Sequence, residues 1–157
     1  WIVIVLGRYG GLPPWLSVPG MALLALYMAM YFSLFCLLVN LVLKRSESGK
    51  GAAVGLIWLA PIFWVGLDYL RSVFLTGFPW MDLGYGLYSQ PFLIQAADLG
   101  GHSLVTFCLV LINGLLVWLL QRLHNPRPQD IRLEFVTAAC GCILLVGLGV
   151  YSFVRYQ

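Results

Sequence analysis

Four apolar runs, each about 20 residues long or longer and set between short polar connections, constrain this chain more than anything else in it. In hydrocarbon no water is present to satisfy N–H and C=O groups, so a run of about 20 residues can cross only as a helix. The runs cover about residues 21–43, 52–70, 91–120 and 133–153. With 61% apolar and only 10% charged residues, a soluble globular domain is excluded. The expected fold is all-α, a polytopic transmembrane helix bundle of four complete spans plus an N-terminal helix stub too short to cross. All 157 residues then form one transmembrane domain. The chain starts at Trp1, with no charged segment and cleavage site ahead of its first apolar residues, and is read as an excerpt of a longer protein.

Polar punctuation fixes the ends of the runs. The first follows Gly10, Gly11, Pro13 and Pro14 and stops at Lys44 and Arg45. Pro61 removes a backbone donor inside the second and is expected to kink it. The third exceeds a perpendicular crossing, so it should tilt or project a polar first turn bearing Gln95, Asp98 and His102 into the interface. The fourth carries Ala138, Ala139, Gly141, Gly147 and Gly149, small residues that permit close helix approach. Lys44, Arg45 and Lys50 follow the first run and Arg122, Arg127 and Arg132 follow the third, which makes both connections cytoplasmic. The connection at about residues 71–90 and the C-terminus then face outward.

Several chemistries find no support. Cys36, Cys108, Cys140 and Cys142 lie in apolar runs, where thiols act as small hydrophobes. Cys140 and Cys142 lack the spacing of a zinc or redox pair, so no metal or cofactor is expected. The net charge of +3 is scattered, so no nucleic-acid partner is expected. No nucleophile stands beside a base. Asn40 and Asn113 read as hydrogen-bond partners between helices.

The polar and aromatic residues that remain gather near the outer end. Asp68 and Arg71, three apart, share a helical face and can pair. Asp68, Gln95 and Asp98 are expected to form a structural polar cluster, with Asp82 in the connecting loop. Between the second and third runs, Gly77 admits backbone angles closed to other residues, Pro79 fixes its own φ, and Phe78 is pushed toward an extended form. That turn presents the rings of Phe78 and Trp80 in a fixed direction and is a candidate lipid-handling site. Interfacial aromatics also serve simply as anchors, as Trp15 and Trp118 can.

In order along the chain, Tyr9-Gly10-Gly11-Leu12-Pro13, Leu67-Asp68-Tyr69-Leu70-Arg71-Ser72, Leu75-Thr76-Gly77-Phe78-Pro79-Trp80, Leu83-Gly84-Tyr85 and Leu93-Ile94-Gln95-Ala96-Ala97-Asp98-Leu99-Gly100 resemble the membrane domain of bacterial apolipoprotein N-acyltransferase. The resemblance implies an inner-membrane enzyme of eight helices with a periplasmic nitrilase-like domain, of which this chain would cover the end of the third helix through the seventh. It implies a cysteine that takes an acyl chain from a phospholipid donor and passes it to the N-terminal amine of a diacylated apolipoprotein, assisted by a glutamate and a lysine. All three would lie beyond Gln157, leaving no catalytic residue here.

By the same resemblance, Arg71, Gly77, Phe78, Pro79, Trp80 and Tyr85 are the residues expected to meet lipid, with Trp80 lining a cavity and Arg71 touching phosphate. Asp68 stands where a glutamate is commoner, and Gly86-Leu87 replaces a frequent Ser-Gln. The alternative reading is a nonenzymatic multi-pass lipid-binding or scaffold module.

The charge asymmetry generates a direct test. Single cysteines placed within Ser46 to Lys50 or Asn125 to Gln129, in a background without native cysteines, should resist a membrane-impermeant thiol reagent added outside intact cells. Labelling of either loop from outside reverses the orientation.

Overall fold

The computed structural model describes residues 2–45, 54–74, 77, 82–124 and 131–157. They are mostly helical: α1 (Ile2–Arg8), α2 (Pro14–Arg45), a π-helical turn (Gly55–Leu59) running into α3 (Ala60–Val73), a 3-10 turn (Leu83–Leu87), α4 (Pro91–Ile94), α5 (Ala97–His124) and α6 (Ile131–Tyr156). Four stretches are long and apolar enough to cross a membrane: Trp15–Arg45, Gly55–Val73, Ala97–His124 and Ile131–Tyr156. The all-α polytopic class read from hydropathy is therefore the observed one. The loops at Ser46 to Lys50 and Asn125 to Gln129 lie outside the described residues.

The chain divides into two units, Trp1–Cys36 and Leu37–Gln157. In the first, α1 ends at Gly10 and Gly11. Gly11 takes φ +64°, and the Leu12 N–H returns to the Leu6 carbonyl at 3.2 Å, a glycine-dependent helix stop. The α2 helix begins at Pro14, ahead of the apolar run at about 21, because proline suits a first turn whose N–H groups have no helical acceptor. Ser17, fully buried, donates to the Leu12 and Pro13 carbonyls at 3.3 and 3.2 Å. Trp15 is 74% exposed.

In the second unit α5 is the central element, touching the π turn, α3, the 3-10 turn, α4 and α6. Its core joins Ile57 and Leu111, both fully buried, to Ala138, with Trp58, Phe107 and Leu115 packed around them. Pro61 explains the local shape of α3. A proline ring collides with the carbonyl four residues back, and widening the preceding turn into a π form moves that carbonyl aside. In the π register the residue that would donate to the Leu56 carbonyl is Pro61, which has no N–H. There α5 presents Gly114, so close that an added Cβ would collide with that carbonyl. Such an approach suits a Cα–H···O contact.

The last helix meets this core through its small residues. Ala138 and Gly141 face inward, and a Cβ on Gly141 would sit 3.4 Å from Ile57. Ala139 is exposed, and Gly147 and Gly149 have nothing within 4 Å of a built Cβ, so only part of the small-residue set serves helix contact. Trp118 packs edge-on to Phe135 at 5.7 Å, tying α5 to α6. Asn113 departs from expectation: its amide donates to the Leu109 carbonyl of its own helix at 2.8 Å.

Gly114→Ala in the membrane-embedded protein should cost about 1–3 kcal/mol, because the methyl must displace backbone. Gly147→Ala should stay within about 0.5 kcal/mol of wild type. Reversible unfolding in mixed detergent micelles reads both; equal stability of the two variants removes the contact's significance.

Candidate functional site

Near the end of α3 where the chain turns toward the aromatic loop, polar side chains from three elements converge. Arg71 is 5% exposed and its Nη2 lies 3.0 Å from Asp68 Oδ1, one helical turn back. The pairing expected from their spacing is present. Asp68 also faces the Asp82 carboxyl and the Trp64 indole. Asp82, buried, precedes the 3-10 turn in an extended conformation, and its Oδ2 lies 2.9 Å from His102 Nε2. Thr106 donates to Asp82 Oδ1 at 3.5 Å while accepting the Gly84 N–H at 3.0 Å.

Two glycine features bring these groups together. At Gly100 and Gly101 the α5 backbone leaves helical geometry, with Gly101 at φ +66°. His102 therefore opens the long continuous part of α5 and does not share one helical face with Gln95 and Asp98, as an unbroken helix would require. Gly84 then lets the 3-10 turn lie directly on α5. A Cβ there would stand 2.6 Å from the His102 carbonyl and 3.0 Å from Thr106 Oγ1. With the turn seated, the Tyr85 ring stacks on the His102 imidazole, centroids 5.2 Å apart and planes at 20°.

Two carboxylates thus face one guanidinium and one imidazole. Asp68, Arg71, Asp82 and His102 form one cluster. Its buried half is Arg71, Asp68 and Asp82. Its accessible edge is His102, with 46% of its side chain exposed, and Tyr85, 53% exposed.

The other expected residues divide. Gly77 takes φ +80°, donates its N–H to the Phe74 carbonyl at 3.0 Å and would clash with the Ser72 carbonyl if it carried a Cβ, so only glycine fits. Phe78, Pro79 and Trp80 lie outside the described residues. Gln95 and Asp98 do not join Asp68: Gln95 Nε2 donates to the Pro91 carbonyl at 3.0 Å, and Asp98 pairs with Arg155 Nε of α6 at 3.0 Å. The break at Gly100 and Gly101 separates the two sets. Thr106 escaped sequence reasoning, because a threonine inside an apolar helix carries no signal of its own. The sequence places His102 in a polar first turn but does not show that the glycine pair before it breaks the helix and brings it to Asp82.

Residues 1–115 match the family described as the apolipoprotein N-acyltransferase N-terminal domain. The chain is similar to proteins named apolipoprotein N-acyltransferase. It is 33% identical to that of Geobacter metallireducens over 155 residues, covering 99% of this chain and 28% of the relative. Identity is 36% with that of Vibrio cholerae over 120 residues, 75% of this chain and 22% of the relative. With that of Pseudomonas putida it is 35% over 153 residues, 96% and 28% of the two lengths. The chain thus spans about a quarter of these relatives' length. No solved structure matches it. Matched by the family's N-terminal domain over well more than half its length and built of four apolar helices that embed it in a membrane, the chain belongs to the apolipoprotein N-acyltransferase family.

Proposed function

We propose that this chain is the lipid-admitting membrane portion of an enzyme that moves an acyl chain from a phospholipid to the N-terminal amine of diacylglyceryl-cysteine apolipoproteins. The observation that carries the reading is the family match, joined to a polar cluster with an exposed edge at His102 and Tyr85. Chemistry would proceed through a cysteine thioester on a nitrilase-like domain outside this chain, at the periplasmic face of the inner membrane. In that arrangement the aromatic loop and the His102–Tyr85 edge face the periplasm.

The roles of individual residues follow from their surroundings. Tyr85, with Gly77, Phe78, Pro79 and Trp80 of the same connection, would meet the incoming phospholipid. Burial and the Asp68 pair favour a different part for Arg71: anchoring the cluster that seats the loop. At 5% exposure its guanidinium, paired with Asp68, offers little surface to a phosphate. The nonenzymatic scaffold reading draws support from no particular observation, whereas the family match favours the enzyme.

In the full-length enzyme, Trp80→Ala and Tyr85→Ala should each slow thioester formation from phospholipid about tenfold, near 1.4 kcal/mol, at normal membrane levels. Transfer from a preformed thioester to lipopeptide should change less. Arg71→Lys keeps the charge but loses the planar fork, and should lower stability more than either rate. Wild-type rates in both steps for Trp80→Ala and Tyr85→Ala would reduce these residues to anchors.

The chain by itself should form no phospholipid-dependent acyl adduct on Cys36, Cys108, Cys140 or Cys142, since among the described residues these thiols are free and lie in apolar helices with no base beside them. Intact-mass measurement after incubation with phospholipid vesicles checks this, and an acyl-sized mass gain on any of the four overturns it.

A further inference from the structure

Beyond the polar cluster, between α4, α5 and α6, lies an apolar groove of about 220 Å³. Phe92 and Leu93 line it from α4, Leu109 and Ile112 from α5, and Leu145 and Leu148 from α6. The Asp98–Arg155 pair stands just beyond one end. Ser152 lines the groove and Arg155 follows it one turn along α6, while Ala96 lines it and Asp98 follows on α5. Phe92 fastens this end, meeting Phe153 and Tyr156 edge-on at 6.2 and 6.3 Å.

An apolar space of this kind offers water no partners, and water does not fill it. In a bilayer the molecules at hand to fill it are lipid chains. The end of the groove adds a headgroup determinant. Arg155 is 64% exposed and uses Nε on Asp98, leaving the donors of its two amino groups at the surface, a geometry that suits phosphate oxygens. Asp98 orients the guanidinium as well as partly neutralising it.

We propose that this groove is a phospholipid-binding site in its own right, holding one acyl chain between α4, α5 and α6 with the lipid phosphate on the amino groups of Arg155. It is separate from the Arg71–Asp82–His102 cluster and does not depend on the acyl-transfer reading. The occupant is a glycerophospholipid of the surrounding bilayer, since only a lipid with a phosphate uses both the apolar wall and the cation.

Photolabelling tests it. The full-length protein is reconstituted in phosphatidylcholine vesicles carrying a trace of phosphatidylglycerol with a diazirine on one chain, or of diacylglycerol with the same chain. It is then irradiated and its peptides mapped. Adducts from phosphatidylglycerol should concentrate on Ile112, Leu145 and Leu148 relative to Leu23 and Leu26, exposed residues of α2 that report random lipid contact. Arg155→Gln should lower those adducts about fivefold, the scale of one charge-assisted contact, and leave diacylglycerol adducts unchanged.

A Cβ at Gly149, which also lines the groove, meets nothing within 4 Å, so Gly149→Trp can fill the space without forcing backbone apart. It should remove groove adducts of both lipids. Equal labelling of groove and α2, or groove labelling indifferent to Gly149→Trp, overturns the site. Indifference to Arg155→Gln overturns the phosphate contact. Labelling of α2 with none in the groove shows that another protein segment covers it, and preferential displacement by a diacylated lipopeptide assigns it to that molecule instead; both overturn the proposal. Acyl-transfer rates are not the readout, so the proposed function stands or falls separately.

Discussion

A missing N–H organises the membrane core of this protein. Pro61 cannot donate to the backbone ahead of it, and no water in the hydrocarbon can substitute. The chain answers with a π turn at Gly55–Leu59, which carries the Leu56 carbonyl against the bare backbone of Gly114. Helices in lipid gain little from the hydrophobic effect on associating, so close backbone contact and side-chain dispersion must hold them. Ile57 and Leu111 close around that contact, and Ala138 and Gly141 of α6 complete it. The separation of α3 and α5 is set there.

The polar cluster depends on that separation. Thr106 stands eight residues before Gly114 on α5, about 12 Å along the axis, so a shift at the glycine contact is felt at the hydroxyl. Burying two carboxylates and a guanidinium near hydrocarbon costs several kcal/mol per ion unless they are paired. Here Asp68 has Arg71, and Asp82 has His102 and Thr106. The return on this arrangement is placement. Asp82 lies where the aromatic connection rejoins α5, so the carboxylate that accepts from His102 and Thr106 also fixes where that connection ends.

The chain also separates two kinds of exposed surface. One is the polar edge of His102 and Tyr85, where stacking holds both rings at the end of the bundle. The other is the wall formed by α4, α5 and α6, where the polar groups near its end pair between helices through Asp98 and Arg155. The glycine break at Gly100 and Gly101 divides them, turning α5 so that Asp98 addresses α6 while His102 addresses the loop.

The membrane helices were legible in the residues because transfer free energy adds along a segment, and any apolar run of about 20 residues reaches the same solution whatever surrounds it. The helix stop at Gly11, the disturbance at Pro61 and the need for glycine at Gly77 are local in the same way: each follows from one residue's own backbone. The Asp68–Arg71 pair was readable too, being one turn apart. What only tertiary structure decided is which distant polar groups meet. Asp82 and Thr106 are 24 residues apart, and nothing in either residue type names the other. Gln95 and Asp98 share a local pattern with His102, yet the glycine break sends them elsewhere. The packing of α3 against α5 creates the cluster, and the seating of α4 between α5 and α6 creates the groove. Both are spaces between elements, and a space between elements belongs to no single stretch of sequence.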